Sequence, residues 1–501
     1  MAKQFILLMS DTTRCDMIGA YGHKAMSTPN LDRLAEEGVR FTEAYCAQPV
    51  CGPARSALFT GQFPHSNGVI ANCLPLGDNV KTIGQRLSDQ GIHCGYIGKW
   101  HLDGFDYFGN GRCPEGFDAD YWYDMRCYLE ELDESWRRRS RRSETSFDED
   151  FDETMTYGYR VASRAVDFIE QFGKEDFFLT VSFDEPHGPS LTPAPFNTMY
   201  EGVCFEDNPN YADDLSDKPL MQQLWAGEGR FLPADHFHRP TAALSLFLGC
   251  NSFMDAMAGR VLEAIERCCP EAVVMFTSDH GDLCGNHKLQ TKNGVAYREV
   301  ANIPWIIRDH QHRGVRHALV SHVDFVPGVL EYFGLGIPRL LEGKSFWPLV
   351  REEEAVIHEA VFVEFGRYEV DHDGFGGLQL MRSAFDGRMK LVLHLCDTDE
   401  LYDVRQDPGE VVNLIDDPRY ARQWNHLHDL ILQHMNDTRD VFRGYCWAVR
   451  KWRTDLVPSW SNDGYTRQRE NEEYEPRQLD YDTGMPMENA VRRKKIVDEK
   501  L

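Results

Sequence analysis

The chain has 501 residues, 42% of them hydrophobic and 12% aromatic, which is enough to build about two packed structural units and excludes a disordered polymer. Acidic side chains outnumber basic ones 80 to 53, giving a net charge of −27. Such a surface repels polyanions, so no nucleic-acid partner is expected, and any anion site must be a local nest of cations or a metal.

Along the chain, Met1-Ala2-Lys3-Gln4 leads into an apolar run, 5–9, that ends at Asp11. The run is too short for a signal-peptide core or a membrane span and reads as the buried first strand of a cytoplasmic protein, with no membrane attachment. Fourteen scattered cysteines without a Cys-x-x-Cys pair read as reduced thiols, most of them small core residues. Residues 94–97, 177–183, 273–277 and 303–307 are further predicted strands. Helical spacing follows the Thr28-Pro29 start at Leu31, Leu34 and Val39, opens again at Pro53 over 54–59, and runs through 157–172 and 242–267. Strand and helix in alternation predict an α/β fold: a large, mainly parallel sheet flanked by helices. The polar segment 133–152 reads as a solvated surface insertion, and 200–239 as a long loop able to act as a lid.

From about residue 360 the pattern changes. Hairpin strands are expected at 361–365, 378–381 and 389–394, and 422–435 is amphipathic, with Trp424, Leu427, Ile431 and Met435 on one face. The expected organisation is a catalytic unit, 1–359, and a smaller C-terminal α+β subdomain, 360–501, built on a short antiparallel sheet. Its tail after Trp460 reads as an extended arm ending in the solvated run 492–495.

Motifs with chemical content follow four predicted strands: Ser10-Asp11-Thr12, Gly98-Lys99-Trp100-His101, Asp184-Glu185-Pro186-His187 and Ser278-Asp279-His280-Gly281-Asp282. In an open α/β sheet, ligands bind beyond the carboxyl ends of the strands. A lone Asp there is usually a helix cap, and a lone His usually a satisfied core residue. The set together with Cys51 outweighs those readings. Asp11, Asp279 and His280 suit one divalent cation. Lys99, Arg55 and Lys292 can hold a tetrahedral oxyanion, and His101 and His187 can move protons near neutral pH. Free amides at the start of a helix opening at Pro53 would face an anion beside residue 51. The sum is metal-assisted cleavage of a sulfate or phosphate ester. Asp103, Tyr107 and His287 lie beside the motifs, and Arg367 and His372 lie in the insertion 367–377; all five are candidates for binding the alcohol part.

Cys51-Gly52-Pro53-Ala54-Arg55, continued by Ser56-Ala57-Leu58-Phe59-Thr60-Gly61, resembles the Cys-x-Pro-x-Arg signature of the type I formylglycine-dependent sulfatases, in the alkaline phosphatase superfamily. The other motifs, with Leu401-Tyr402-Asp403 and Asp407-Pro408, are similar to that family's in the same order, over most of the chain. Bacterial cytoplasmic glycan and choline sulfatases and phosphonate monoester hydrolases are the nearest in pattern. The resemblance implies an alkaline phosphatase-like fold and hydrolysis of a sulfate monoester, on a sugar, to alcohol and sulfate. It also implies a maturation enzyme that oxidises Cys51 to formylglycine, whose hydrate is the nucleophile. One divalent cation, Ca²⁺ before Mn²⁺ or Mg²⁺, would be held by Asp11, Thr12, residue 51, Asp279 and His280. Arg55 and Lys99 would steady the nucleophile, His101 would deprotonate it, and His187 with Lys292 would bind sulfate and assist the leaving oxygen. Phosphonate monoester or phosphodiester hydrolysis by the same residues is the alternative. The chain departs from the pattern at Thr12, where a second Asp or a Gln is common, at His280, where many members have Asn, and at Gly52.

Overall fold

The computed structural model describes residues 2–453, apart from 24, 105, 204–207, 228–241 and 375, together with 479, 484 and 485. The first apolar run forms strand β1 (Gln4–Asp11), buried along its whole length. Phe5, Leu7 and Met9 enter one core cluster while Ile6 and Leu8 enter another, so both faces of the strand are covered. The remaining strands are β2 (Val39–Tyr45), β3 (His93–Gly98), β4 (Phe177–Pro186), β5 (Val273–Ser278), β6 (Trp305–Arg308) and β7 (Gly314–Ser321). Their order in the sheet is β3-β4-β1-β5-β6-β2-β7. β6 pairs antiparallel with both neighbours and the other pairings are parallel, giving the mixed, mostly parallel sheet. Helices Pro29–Glu37, Tyr157–Phe172 and Ala242–Cys268 cover one face, and Cys51–Thr60, Ile83–Ser88 and Phe325–Phe333 cover the other.

The second sheet is separate and antiparallel, β11-β10-β9-β8, formed by β8 (Val361–Phe365), β9 (Met381–Phe385), β10 (Met389–His394) and β11 (Glu400–Asp403). Helix Ala421–Asp437 lays Trp424, Leu427, Ile431 and Met435 against it, the face its spacing predicts. A buried polar seam ties this sheet to the short helix Pro64–Asn67 and to the segment after Ala421–Asp437. His65 Nδ1 meets Glu364 Oε2 at 2.5 Å and Nε2 meets Thr438 Oγ1 at 2.9 Å, while Arg382 Nε reaches Asp440 Oδ2 at 2.6 Å.

Several expectations change. Val39 does not continue the helix at Leu31 and Leu34; the helix ends at Glu37 and Val39 opens β2. Gly38 makes that turn where a Cβ would collide with the carbonyl of Ile307. β7 escaped detection because it is an edge strand with exposed positions, and β6 begins at Trp305, two residues later than expected. β9 is Met381–Phe385, not 378–381, because a paired Arg382 sits inside it and hides the apolar pattern. The helix after Val50 starts at Cys51, placing Pro53 within its first turn. The loop expected at 200–239 contains the helix Leu220–Gly227, and part of that segment lies outside the described residues. The insertion 133–152 folds into Glu134–Arg139 and a short turn of helix, Ser143–Phe147, joined by Arg139 to Asp148 and Asp150. The tail after Trp460 and the run 492–495 also lie outside the described residues. Among the described residues no helix is long and apolar enough to cross a membrane, and the described cysteines are free thiols.

Leu8→Ala, in the strand shared by both cores, is expected to cost about 3 kcal/mol and to lower the thermal unfolding midpoint; an unchanged midpoint in scanning fluorimetry would contradict this packing.

Candidate active site

Four parallel strands, β3, β4, β1 and β5, are adjacent, so their carboxyl ends meet at one edge of the sheet. That edge carries Lys99, Asp184 with His187, Asp11, and Asp279 with His280. The helix Cys51–Thr60 points its first residue at the same place. Cys51 Sγ lies 3.2 Å from His280 Nε2 and 3.7 Å from Asp11 Oδ1. Ligand atoms of Asp11, Cys51, Asp279 and His280, all four residues buried, lie within 4.8 Å of one another.

Arg55, one helical turn beyond Cys51 and fully buried, organises the carboxylates. Its Nη2 reaches Asp11 Oδ2 at 3.1 Å and its Nε reaches Asp279 Oδ2 at 3.0 Å, while Nη1 donates to the Lys99 carbonyl at 2.7 Å. Lys99 Nζ takes the same Asp11 Oδ2 at 2.7 Å and Asp184 Oδ1 at 3.0 Å. The cationic side chains thus use the Oδ2 atoms. Asp11 Oδ1 is left beside Cys51 Sγ, and Asp279 Oδ1 lies 3.8 Å from His280 Nε2. Thr12 joins the pair: its hydroxyl donates to Asp11 Oδ1 at 2.5 Å and its amide to Asp279 Oδ1 at 3.0 Å.

This donor set fits a hard divalent cation. His280 Nδ1 donates to the Gly281 carbonyl at 2.7 Å, so the Nε2 lone pair faces Cys51 as a metal-ligating imidazole requires. Burial, then the charge of Asp11, push the Asp279 carboxyl up, a penalty that a bound cation would reverse. Asp11 also feels burial, but Lys99, His187 and Arg55 outweigh it and hold the carboxyl well below its ordinary range. Burial, then Asp11, push the Cys51 thiol up to about 12, so a thiolate nucleophile is disfavoured here.

His101 is buried with neither ring nitrogen hydrogen-bonded, and burial with Lys99 and Arg55 nearby keeps it neutral. Lys292, 3% exposed, has no ion-pair partner among the described residues; Cys51, Tyr368 and Asp11 keep it charged against the cost of burial. Burial, Lys292 and Lys99 hold His187 down to about 3.

The five proposed alcohol-binding residues fare unevenly. Tyr107 lies inside the cluster, its hydroxyl 3.0 Å from Lys99 Nζ. Asp103 accepts from the Asn110 amide at 2.7 Å with one oxygen and has no partner for the other. Arg367 pairs with Asp373 at 2.5 Å, and His372 pairs with Glu369 at 3.0 Å. His287 requires correction: it is fully buried, stacked on Tyr297 at 3.7 Å, with Nδ1 on Asp213 and Nε2 on Asn210, so no ring atom remains for a substrate.

Sequence reasoning did not single out Asn72 or Asp184 as site residues, and it placed Tyr368 only in the insertion able to close the pocket. Asp184 had a signal, its place at a strand end. Asn72 had none: its side-chain oxygen accepts from the Gly52 amide at 2.8 Å across a loop, and its backbone N–H donates to the Tyr368 carbonyl at 2.9 Å, bringing the loop after β8 close to Cys51. A Cβ at Gly52 would lie 3.1 Å from the Asn72 side chain, a close approach that suits the glycine in the signature.

The sulfatase family profile matches residues 3–335. The chain belongs to the sulfatase family. A second profile, the C-terminal region of N-sulphoglucosamine sulphohydrolase, matches residues 285–437 of this sulfatase. An uncharacterized sulfatase of Escherichia coli K12, YidJ, is 41% identical, covering 97% of each chain. A protein solved with its substrate, D-glucosamine-2-N,6-O-disulfate, superposes with a TM-score of 0.71 at 19% identity, over 88% of this sulfatase and 99% of that chain. The phosphonate monoester hydrolase of Agrobacterium radiobacter gives a TM-score of 0.72 at 22% identity, over 89% and 98%. Those two likenesses establish an alkaline phosphatase-like fold, and the sulfatase is a sulfuric ester hydrolase.

Replacing His280 or Asp279 with Ala is expected to weaken divalent-metal binding by more than about 100-fold, beyond the usual effect of a residue outside the ligand shell; calorimetric titration of Mn²⁺ and Ca²⁺ measures it.

Proposed function

We propose that the enzyme hydrolyses a sulfate monoester on a sugar, with residue 51 matured from Cys to formylglycine by a separate enzyme in the cytoplasm. The observation that carries this reading is the position of Cys51: first residue of a buried helix, against the Asp11, Asp279 and His280 donors, with Arg55, Lys99 and Lys292 around it. In an acidic protein these cations create a local anion site. The sugar is supported by the relatives, including a Bacteroides thetaiotaomicron N-acetylglucosamine-6-O-sulfatase at 25% identity.

Asp11, Asp279 and His280, with Thr12 beside them, would hold one divalent cation, Ca²⁺ favoured by the oxygen donors. When bound, it supplies Lewis-acid charge that favours an oxygen nucleophile and a negatively charged sulfuryl group. Formylglycine hydrate would supply two oxygens where the thiol has one sulfur, one to attack and one to restore the aldehyde. Lys99 and Arg55 are fixed by their carboxylates and neutralise charge on the nucleophile side. His101, neutral and without a partner, accepts a proton there. Lys292 places a charge on the sulfate, and His187 protonates the departing oxygen. Asp103, and Arg367 and His372 in the loop after β8, would contact the alcohol part.

A second reading, hydrolysis of a phosphonate monoester or phosphodiester, is favoured by one observation: an imidazole, His280, in the ligand set. Steady-state rates on aryl sulfate, sulfated hexosamines and phenyl phosphonate decide between the two; higher kcat/KM on the phosphonate would overturn the sulfatase reading. Mass spectrometry of the peptide containing residue 51 is expected to find formylglycine in active enzyme. Cys51→Ala should abolish turnover with an unchanged thermal midpoint, and residual activity comparable to wild type would exclude residue 51 as the nucleophile.

A further inference from the structure

Tyr107, in the loop after β3, has a hydroxyl in contact with three groups: Lys99 Nζ at 3.0 Å, Asp184 Oδ1 at 2.6 Å and His187 Nδ1 at 2.9 Å. A phenol has one proton to donate and two lone pairs to accept with, and an ammonium cannot accept a hydrogen bond. The phenol proton therefore goes to the Asp184 carboxylate, one lone pair takes a proton of Lys99, and the other requires a proton on His187 Nδ1. The same Nδ1 lies 3.0 Å from the Gly188 carbonyl, which can only accept. Two independent acceptors thus fix His187 in its Nδ1–H form and leave Nε2 for the substrate.

The hydroxyl's capacity is then fully used by the protein, so Tyr107 has nothing left to offer a sugar. Its ring is equally committed, lying 4.1 Å from Lys99 Nζ and edge-on to His101 at 5.3 Å. We propose that Tyr107 is a positioning residue that makes His187 the proton donor to the departing alcohol, by orienting its ring and linking it to Asp184; this rests on the ester-hydrolase reading above. Burial, Lys292 and Lys99 leave the resting ring neutral, so its second proton comes with the anionic ester, whose charge joins that of Asp184, linked through the phenol, in offsetting the two lysines. As the ester S–O bond breaks, its electron pair stays on the alcohol oxygen. The Nε2 proton of doubly protonated His187 passes to that oxygen, and the ring ends neutral with Nδ1–H still on Tyr107.

The test uses leaving groups. An alkoxide needs that proton, whereas para-nitrophenolate leaves without one. In matured, metal-loaded enzyme, Tyr107→Phe should lower kcat on a sulfated hexose at least about tenfold further than on para-nitrophenyl sulfate, since general-acid help is worth 10²–10⁴. His187→Ala should show the same split, and Tyr107→Phe should add nothing in the His187→Ala background. Equal losses on both substrates, or losses that multiply in the double variant, would overturn the proposal. Wild-type enzyme that turns over no sulfate ester would instead overturn the underlying function. Phe keeps the ring, so the thermal midpoint should hold. If it falls, fluorotyrosine at position 107, which keeps the hydroxyl and changes its acidity, must move the hexose rate more than the aryl rate, and a parallel change in both overturns the proposal.

Discussion

A guanidinium with no exposure to water, Arg55, holds two equally buried carboxylates, Asp11 and Asp279, and the rest of the site is arranged around that triad. Two like charges at this depth would repel strongly, and an unpaired buried charge costs several kcal/mol. Arg55 removes the conflict by taking one oxygen from each and turning the other pair toward Cys51 and His280. The triad also joins elements far apart in sequence: the ends of β1 and β5 and the helix that begins at Cys51. A parallel sheet makes this possible, since adjacent strand ends deliver their side chains to one edge.

Around the triad, charge is allocated in layers. Lys99 is shared between Asp11 and Asp184, Tyr107 connects Asp184 to His187, and Lys292 has no ion-pair partner among the described residues. Three cations, Arg55, Lys99 and Lys292, thus stand with three carboxylates, Asp11, Asp184 and Asp279, inside a protein of net charge −27. Long-range attraction does not favour an anionic substrate here, and short-range contacts and a cation must do so. The smaller sheet contributes as well. The loop between its strands β8 and β9 reaches the Cys51 region through the Asn72–Tyr368 contact, and Lys218, from the segment before helix Leu220–Gly227, donates to Tyr402 Oη on β11 at 2.9 Å.

Much of this was legible in the residues because each motif sits where a short apolar run stops. Asp11, Lys99, Asp184 and Asp279 could be assigned to strand ends without coordinates, and the periodicity of 157–172 and 242–267 located two long helices. The failures have physical causes. β7 is an exposed edge strand without a clear alternation, and β9 contains an arginine made tolerable only by Asp440, a residue some sixty positions away in sequence. Val39 continued a helical spacing that Gly38 interrupts. His287 looked like a free polar group in a functional loop until Asp213, Asn210 and Tyr297 claimed all of it.

The sequence by itself determined the chemical inventory: Cys51 with Pro53 and Arg55 at set offsets, Asp11, Asp279 and His280 as donors, and histidines and lysines at strand ends. These follow from local chain chemistry, in which spacing and residue type carry the information. Only the tertiary structure decided which atom of each group is spent. It showed Oδ2 of both aspartates bound to cations, the His280 Nε2 lone pair turned toward Cys51, the His101 ring without a hydrogen-bond partner among the described residues, and the Tyr107 hydroxyl saturated by three partners. Those outcomes depend on contacts between segments up to hundreds of residues apart, and hydrogen-bond capacity is a property of the assembled neighbourhood, not of any one motif.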